Sequence, residues 1–247
     1  MLLSICIVNL NAKKYLSKCL NSIQNGLKTK DYEIIIVDNN SSDGSCSFIK
    51  NIKNKKIRLI QNFYNSGYTK AINQAIKKSK GENILILSPD SILEQKSIDT
   101  LLSFLKNNEK VGIVGPKVID EFGSFQASCR RGLAKPLAVF FYFLGFAKLF
   151  KENKFFTGYQ LNHLDENYIS QVDGVSGSCM VVKREVVEEI GYFDERFFAY
   201  QEDSDYCLRA KYAGWSIFYN PKAKIMHVGG VGGSNSVPMK AIFEWHR

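Results

Sequence analysis

Within the first 116 residues, largely apolar runs alternate with segments of helical period, and no other feature restricts the fold as tightly. LLSICIV, EIIIV, KIRLIQ, NILILS and VGIVGP are the apolar runs. Between them, AKKYLSKCLNSI places Tyr15, Leu16, Cys19, Leu20 and Ile23 at helical spacing, and AINQAIKKS and IDTLLSFLKN repeat the pattern. Strands that are apolar on both faces and separated by helices predict an α/β chain. Its sheet should be mostly parallel, with helices covering both sides.

In such sheets the working loops lie beyond the carboxyl ends of the strands. Here those loops are NLNAK, DNNSSDG, NFYNSGY and SPDS, all rich in Asn, Asp, Ser and Gly. Asn9, Asp38, Asn65 and Asp90 therefore share one edge and face one crevice. SPDS follows an apolar strand directly, so the chain must turn there with a single carboxylate at the tip. Neither G-x-x-x-x-G-K-[ST] nor G-x-G-x-x-G follows the first strand. A nucleotide held on this edge would need polar side chains, with a metal ion to neutralise a diphosphate.

The second half reads differently. KVIDEFGSFQ predicts a hairpin around Gly123, followed by an aromatic stretch from Leu133 to Phe150 and a polar loop from Lys151 to Ser170. The aromatic stretch is interrupted by Lys135, Pro136 and Lys148, which suits a buried or interfacial segment better than a membrane span. EDSD opens a helix that Gly214 closes, and WSIFYNPKAKIMHVGG supplies two more strands before a Gly-rich tail. No linker is evident. The expectation is one domain over 1–247, with a nucleotide-binding half (1–116) and an acceptor and catalytic half (117–247).

Lys and Arg number 33 against 24 Asp and Glu, a formal charge of +9 that favours anionic partners. The six cysteines stand singly, with no C-x-x-C pair, and read as small core residues. The N-terminus lacks the basic region of a signal peptide. A cytoplasmic protein with reduced thiols is expected.

At this point a resemblance becomes specific. IVNLN, IIIVDNNSSDGS, NFYNSGYTKAINQA, LILSPDS, VGIVGPK, SCRRG, VSGSCMVVKRE, GYFDERFFAYQEDSDYCLRAKYAGW and MHVGG follow one another in order. Together they resemble glycosyltransferase family 2, of GT-A fold, and especially its rhamnosyltransferase-like bacterial branch. The resemblance runs from about Leu3 to His227. It implies a mostly parallel central sheet with helices on both faces and a smaller antiparallel portion on the acceptor side. The activity it implies is inverting sugar transfer from a dTDP- or UDP-linked donor, with dTDP-rhamnose first, to a cell-surface polysaccharide or lipid-linked glycan. Peripheral contact with the inner face of the plasma membrane fits the charge. No nucleic-acid partner is expected.

Residue by residue, the resemblance places Asp38, Asn9 and Asn11 at the donor's base or ribose, with Asn65 and Gly67 lining the same pocket and Lys70 at a phosphate. Asp38 also reads as a turn-former, and Lys70 as a solvated helix residue. Asp90 matches the last aspartate of the family's D-x-D motif, whose first acidic position is Ser88 here. With His227 it would hold Mg²⁺ or Mn²⁺ against the donor diphosphate. The other readings are a helix cap near Ile92 for Asp90 and simple packing for His227. Asp203 matches the catalytic base of the family's ED motif, with Glu202 positioning the acceptor or sharing the role; helix capping explains the same acids. Asp173, Ser176 and Gly177 would border the acceptor. Arg130 and Arg131 would meet its phosphate, or else stand as solvated charges.

Two other classes compete. A sugar-phosphate nucleotidyltransferase also pairs an α/β sheet with a metal, but needs a Gly-rich basic loop after the first strand, which NLNAKKY is not. A non-catalytic sugar- or nucleic-acid-binding module would leave the Asp, ED and His positions unexplained.

Overall fold

A computed structural model describes residues 1–133, 159, 161 and 163–229 of the chain. In chain order the first half forms β1 (Leu3–Asn9), α1 (Lys13–Gly26), β2 (Tyr32–Asp38), α2 (Ser45–Lys50), β3 (Ile57–Gln61), α3 (Tyr68–Lys78), β4 (Asn83–Leu87), β5 (Ser91–Leu93), α4 (Ser97–Lys106) and β6 (Val111–Ile119). Every residue of β1 and β2 is buried, as continuous apolar runs require. Helix α3 packs on both, and α1, with Leu16, Cys19, Leu20 and Ile23 buried, packs on β5. Each such aliphatic side chain stabilises the fold by about 1.5–3 kcal/mol.

The second half adds a 3₁₀ turn at Ala127–Cys129, β7 (Arg130–Arg131), β8 (Ser170–Val172), β9 (Gly174–Val175), β10 (Cys179–Lys183), α5 (Arg184–Ile190), α6 (Glu202–Tyr212) and β11 (Ser216–His227). The main sheet runs β3-β2-β1-β4-β10-β6-β11-β5, with β8 also on β11. Strands β1 to β4 are parallel, and β10 enters antiparallel between β4 and β6. The sheet is thus stitched from both halves of the chain, and β7 with β9 forms a small separate antiparallel pair.

Three local expectations meet the structure differently. The hairpin forms, with Ile119 bridged to Phe125 and Gly123 at φ +83°. The two strands expected after Trp215 are one, β11, whose register on β6 shifts between Asn220 and Lys224. That irregularity absorbs Pro221, which has no N–H to give a ladder. Near Ile92 the chain forms a strand, β5, rather than a helix, so Asp90 caps no helix there. Strand β5 pairs antiparallel with the end of β11 and sets Ser91 opposite His227.

From Ala134 to Phe150 the aromatic stretch lies outside the described residues, as does the tail from Gly230. Among the described residues no helix is long and apolar enough to cross a membrane. Five of the six cysteines are buried, and Cys46 is partly exposed.

Candidate active site

The ends of β1 and β2 are knitted by side chains. Asn9 donates through Nδ2 to Asp38 Oδ1 (2.8 Å) and to Ser41 Oγ (3.0 Å). Asp38 Oδ2 accepts the Ser41 amide (3.0 Å), and Asn11, at φ +51°, accepts the Ser42 amide (2.7 Å). Asp38 is 0% exposed. As placed it has no surface open to a base, and its carboxylate does the turn-forming work. Ser41, which Asp38 holds in place, and the exposed Asn11 and Ser42 form the outer layer of this loop.

Asn39, which the sequence did not single out, organises the next loop. Its Nδ2 donates to Asn65 Oδ1 (2.8 Å) and Gly67 O (3.2 Å), and its Oδ1 accepts from Asn62 Nδ2 and the Ser66 amide. Asn65 Oδ1 also accepts the Gly67 amide, so its oxygen serves the loop. Gly67 allows a close approach, but the neighbour is the chain itself. At φ +89°, an added Cβ would lie 2.8 Å from Phe198 O and from the Phe198 ring. The carbonyl of Phe198 in turn accepts the Tyr68 amide (2.8 Å). This docks the 198–201 segment on the start of α3, just before Tyr200 and Gln201 take left-handed φ values of 67° and 62°. Non-glycine residues pay for such angles and keep them where the surroundings impose them. Here they deliver Glu202 and Asp203. Lys70 is exposed on α3.

Asp90 lies just past β4 and is 2% exposed. Its Oδ1 accepts Ser88 Oγ (2.5 Å) and stands 3.3 Å from His227 Nε2; its Oδ2 accepts the Gly229 amide (3.0 Å). Burial raises this carboxyl's pKa, but His227 and Ser88 outweigh it and hold the value below the ordinary one. Gln126, a second unforeseen residue, fixes the imidazole. Its Nε2 donates to His227 O (2.7 Å), which turns its Oε1 toward His227 Nδ1 (3.1 Å). An amide oxygen only accepts, so Nδ1 carries the hydrogen and Nε2 is left to face the carboxylate. Two acceptors meeting at 3.3 Å call for a shared cation, a proton or a metal ion. The donor set of one carboxylate and one oriented imidazole fits a hard divalent ion that keeps waters and takes phosphate oxygens. Among the described residues no group of three or more His, Cys, Asp and Glu gathers, so these residues supply two ligands, Asp90 and His227.

Glu202 and Asp203 open α6, each 6% exposed. Asp203 is gripped by Arg131, with NH1 to Oδ1 at 3.2 Å and NH2 to Oδ2 at 2.7 Å, and it also accepts the Gly177 and Ser204 amides (3.0 and 2.8 Å). The Tyr68 hydroxyl borders the same space, and burial followed by the charges of Glu202 and Asp203 pushes its pKa up. The two carboxylate centres adjoin through one turn. Gly177 donates to Asp203, while the next carbonyl, Ser178 O, accepts the Ser88 amide (2.9 Å) and Ser91 Oγ (3.1 Å).

Burial and then the neighbouring Asp203 raise the Glu202 carboxyl from an ordinary 4.5 to about 8, and its Oε2 is buried without a partner among the described residues. Between those values the native state holds a proton that the unfolded chain has released, so this contribution to stability falls as pH rises from about 4.5 to about 8 and levels off above that. Urea melts should show stability declining between pH 5 and 9, by at most about 5 kcal/mol, and Glu202→Gln should flatten the decline. An unchanged slope in Glu202→Gln would assign the proton elsewhere.

The two arginines part company. They occupy adjacent positions of β7, and strand alternation turns them to opposite faces. Arg130 faces inward, neither solvated nor free for phosphate. Its guanidinium stacks on Tyr219 (4.7 Å) and Phe125 (5.4 Å) and donates to the carbonyls of Leu164 and Asp165. Arg131 is committed to Asp203. Asp173 pairs with Lys211 and accepts the Leu133 amide (2.9 Å), so it anchors the chain beside β7. The Ser176 amide donates to Cys129 O and its hydroxyl accepts the Ser178 amide, which shapes the turn carrying Gly177.

The sequence profile of "Glycosyl transferase family 2" matches residues 4–191. An N-acetylglucosaminyl-diphospho-decaprenol L-rhamnosyltransferase of Mycobacterium tuberculosis is 30% identical over 206 residues, covering 78% of this chain and 66% of that protein. The dTDP-rhamnosyl transferase RfbF of Shigella flexneri is 27% identical over 217 residues, covering 86% and 65%. The chain thus spans just under two thirds of either relative. Among solved structures, GalNAc-T7 with UDP, GalNAc and Mn²⁺ superposes with a TM-score of 0.69 at 16% identity, covering 94% of this chain and 44% of that one. That likeness is one of fold, the GT-A fold.

Proposed function

The chain belongs to glycosyltransferase family 2, and on that premise we propose that it moves a sugar, with inversion, from a pyrimidine-nucleotide donor to a hydroxyl of a cell-surface or lipid-linked glycan. The observation that carries this reading is the pairing of two centres across the 176–178 turn: Asp90 with His227 on one side, Asp203 with Glu202 on the other. The first suits the anionic end of a nucleotide sugar, and the second suits the proton of an attacking hydroxyl. The names of the two relatives support a dTDP-linked rhamnose as the first donor to try, with a UDP-sugar next.

In this reading the loops knit by Asp38 and Asn39 seat the nucleoside. Asp90 and His227 would hold a Mg²⁺ or Mn²⁺ ion, which when bound neutralises the donor diphosphate. Asp203 takes the acceptor hydroxyl's proton as the oxygen attacks the anomeric carbon opposite the departing diphosphate. Turn residues Ser176 and Gly177 fix its orientation. Reversible attachment to an anionic membrane, driven by the +9 charge, completes the proposal. Liposome flotation that ignores both anionic lipid and salt would remove that part.

The experiment for the whole reading is calorimetric titration with dTDP, UDP, ADP and GDP in Mn²⁺, followed by nucleoside diphosphate release from dTDP-rhamnose and UDP-sugars. Pyrimidine diphosphates should bind more tightly than purine ones, and one donor should be slowly consumed. Tighter purine binding sinks the donor class, and no consumption of any donor sinks the activity.

A further inference from the structure

The Asp203 carboxylate has no room for a substrate. Its Oδ1 accepts Arg131 NH1 (3.2 Å) and the Ser204 amide (2.8 Å); its Oδ2 accepts Arg131 NH2 (2.7 Å) and the Gly177 amide (3.0 Å). A carboxylate offers about four lone-pair sites, and these four donors fill them, with the Ser204 hydroxyl a more distant fifth at 3.4 Å from Oδ1. A group that is to receive a proton from a hydroxyl must first have one site cleared.

Of the four donors, two cannot leave cheaply. The Ser204 amide belongs to the first turn of α6, and the Gly177 amide to the turn whose next carbonyl holds Ser88 and Ser91. The guanidinium of Arg131 is different, because it sits at the end of a long side chain. It has other acceptors at hand, with Nε on Ser128 O (3.2 Å) and NH1 on Ser204 Oγ (2.9 Å). The fork can therefore release one Asp203 oxygen and keep hold of the other.

We propose that Arg131 is a latch on Asp203: a positioning residue whose two-pronged grip keeps the carboxylate from activating water, and which yields one oxygen when an acceptor hydroxyl docks. This rests on the reading of Asp203 as the base. The side reaction it restrains is donor hydrolysis. In that reaction a water proton passes to the Asp203 carboxylate, the water oxygen bonds to the anomeric carbon, and the bond from that carbon to the diphosphate oxygen breaks. Its electron pair leaves with the nucleoside diphosphate. Transfer differs only in that the acceptor hydroxyl replaces water.

The test needs no acceptor. Nucleoside diphosphate release is measured from whichever donor the wild-type protein consumes, for wild type, Arg131→Gln, Arg131→Lys and Arg131→Gln/Asp203→Asn. Binding of the free nucleoside diphosphate is followed by calorimetry in parallel. Both single variants should hydrolyse the donor about 10-fold or more faster than wild type, because neither side chain can span both oxygens. The double variant should return to the wild-type rate or below, since the effect passes through Asp203. Hydrolysis that stays level or falls in the single variants, with nucleotide binding intact, overturns the latch. So does loss of nucleotide binding in both, which would make Arg131 part of the architecture. A wild-type protein that binds no nucleoside diphosphate and consumes no donor fails one step earlier, at the reading of the function itself.

Discussion

Asp203→Asn should lower turnover by roughly 10²–10⁴-fold while leaving nucleoside diphosphate affinity within about two-fold. If Asp203 served only the start of α6, Asn would serve nearly as well, because the two cap helices comparably. The packing around Asp203 alters what stability can say. At least two donors converge on each carboxylate oxygen, so an Asn amide would turn its own N–H₂ toward two of them. A stability loss of about 1–3 kcal/mol is therefore expected whether or not Asp203 is the base. The discriminating quantity is turnover per folded molecule, with calorimetric binding of dTDP or UDP as the count of folded sites. Retained turnover would pass the role to Glu202, whose buried Oε2 has no partner among the described residues. Asp173 is a poor substitute, being tied to Lys211 and the Leu133 amide.

Strands β1, β2, β4 and β6 were legible because nearly every residue in them is buried and so they read as apolar runs, whereas β3, at the end of the sheet, is partly exposed and mixes Arg58 and Gln61 into its run. The edge on which Asn9, Asp38 and Asp90 meet follows from strand and helix alternation, but the strand order does not, since β10 of the second half enters between β4 and β6. The residues that hold those side chains were not legible. Asn39, Gln126 and Tyr68 act across gaps of 26, 101 and about 110 to 135 positions in the chain, through contacts that only the folded sheet creates. Asn39 in particular looked like one more polar turn residue in DNNSSDG. Strand β5 was missed because three residues carry no periodicity, and its pairing with His227 belongs to β11. Arg130 was different, for the signal was available. Two adjacent residues in a strand face opposite ways, so SCRRG could not present both guanidinium groups to one ligand.

The same long-range pairing governs the second large effect, that of Asp90→Asn. Wild-type protein should bind UDP or dTDP more tightly when Mn²⁺ is present, and the substitution should remove that increment and lower transfer by about 10²-fold or more. A turn-knitting Asp90 makes the opposite forecast. Asn could still accept the Gly229 amide, the Ser88 hydroxyl could rotate, and both binding and turnover would survive. The two forecasts separate because of His227. Gln126 fixes its Nδ1 as the donor, so Nε2 meets the carboxylate 3.3 Å away either with a proton of its own or through a bound metal ion. An Asn at position 90 supplies its own N–H to the Nε2 lone pair. The imidazole is then satisfied without any cation, and the charge that drew one is gone. Titrations of UDP into Asp90→Asn with and without Mn²⁺ should therefore coincide. If the curve still shifts with Mn²⁺, the ion is held elsewhere, and Asp90 with His227 is only the clasp that joins β5 to β11.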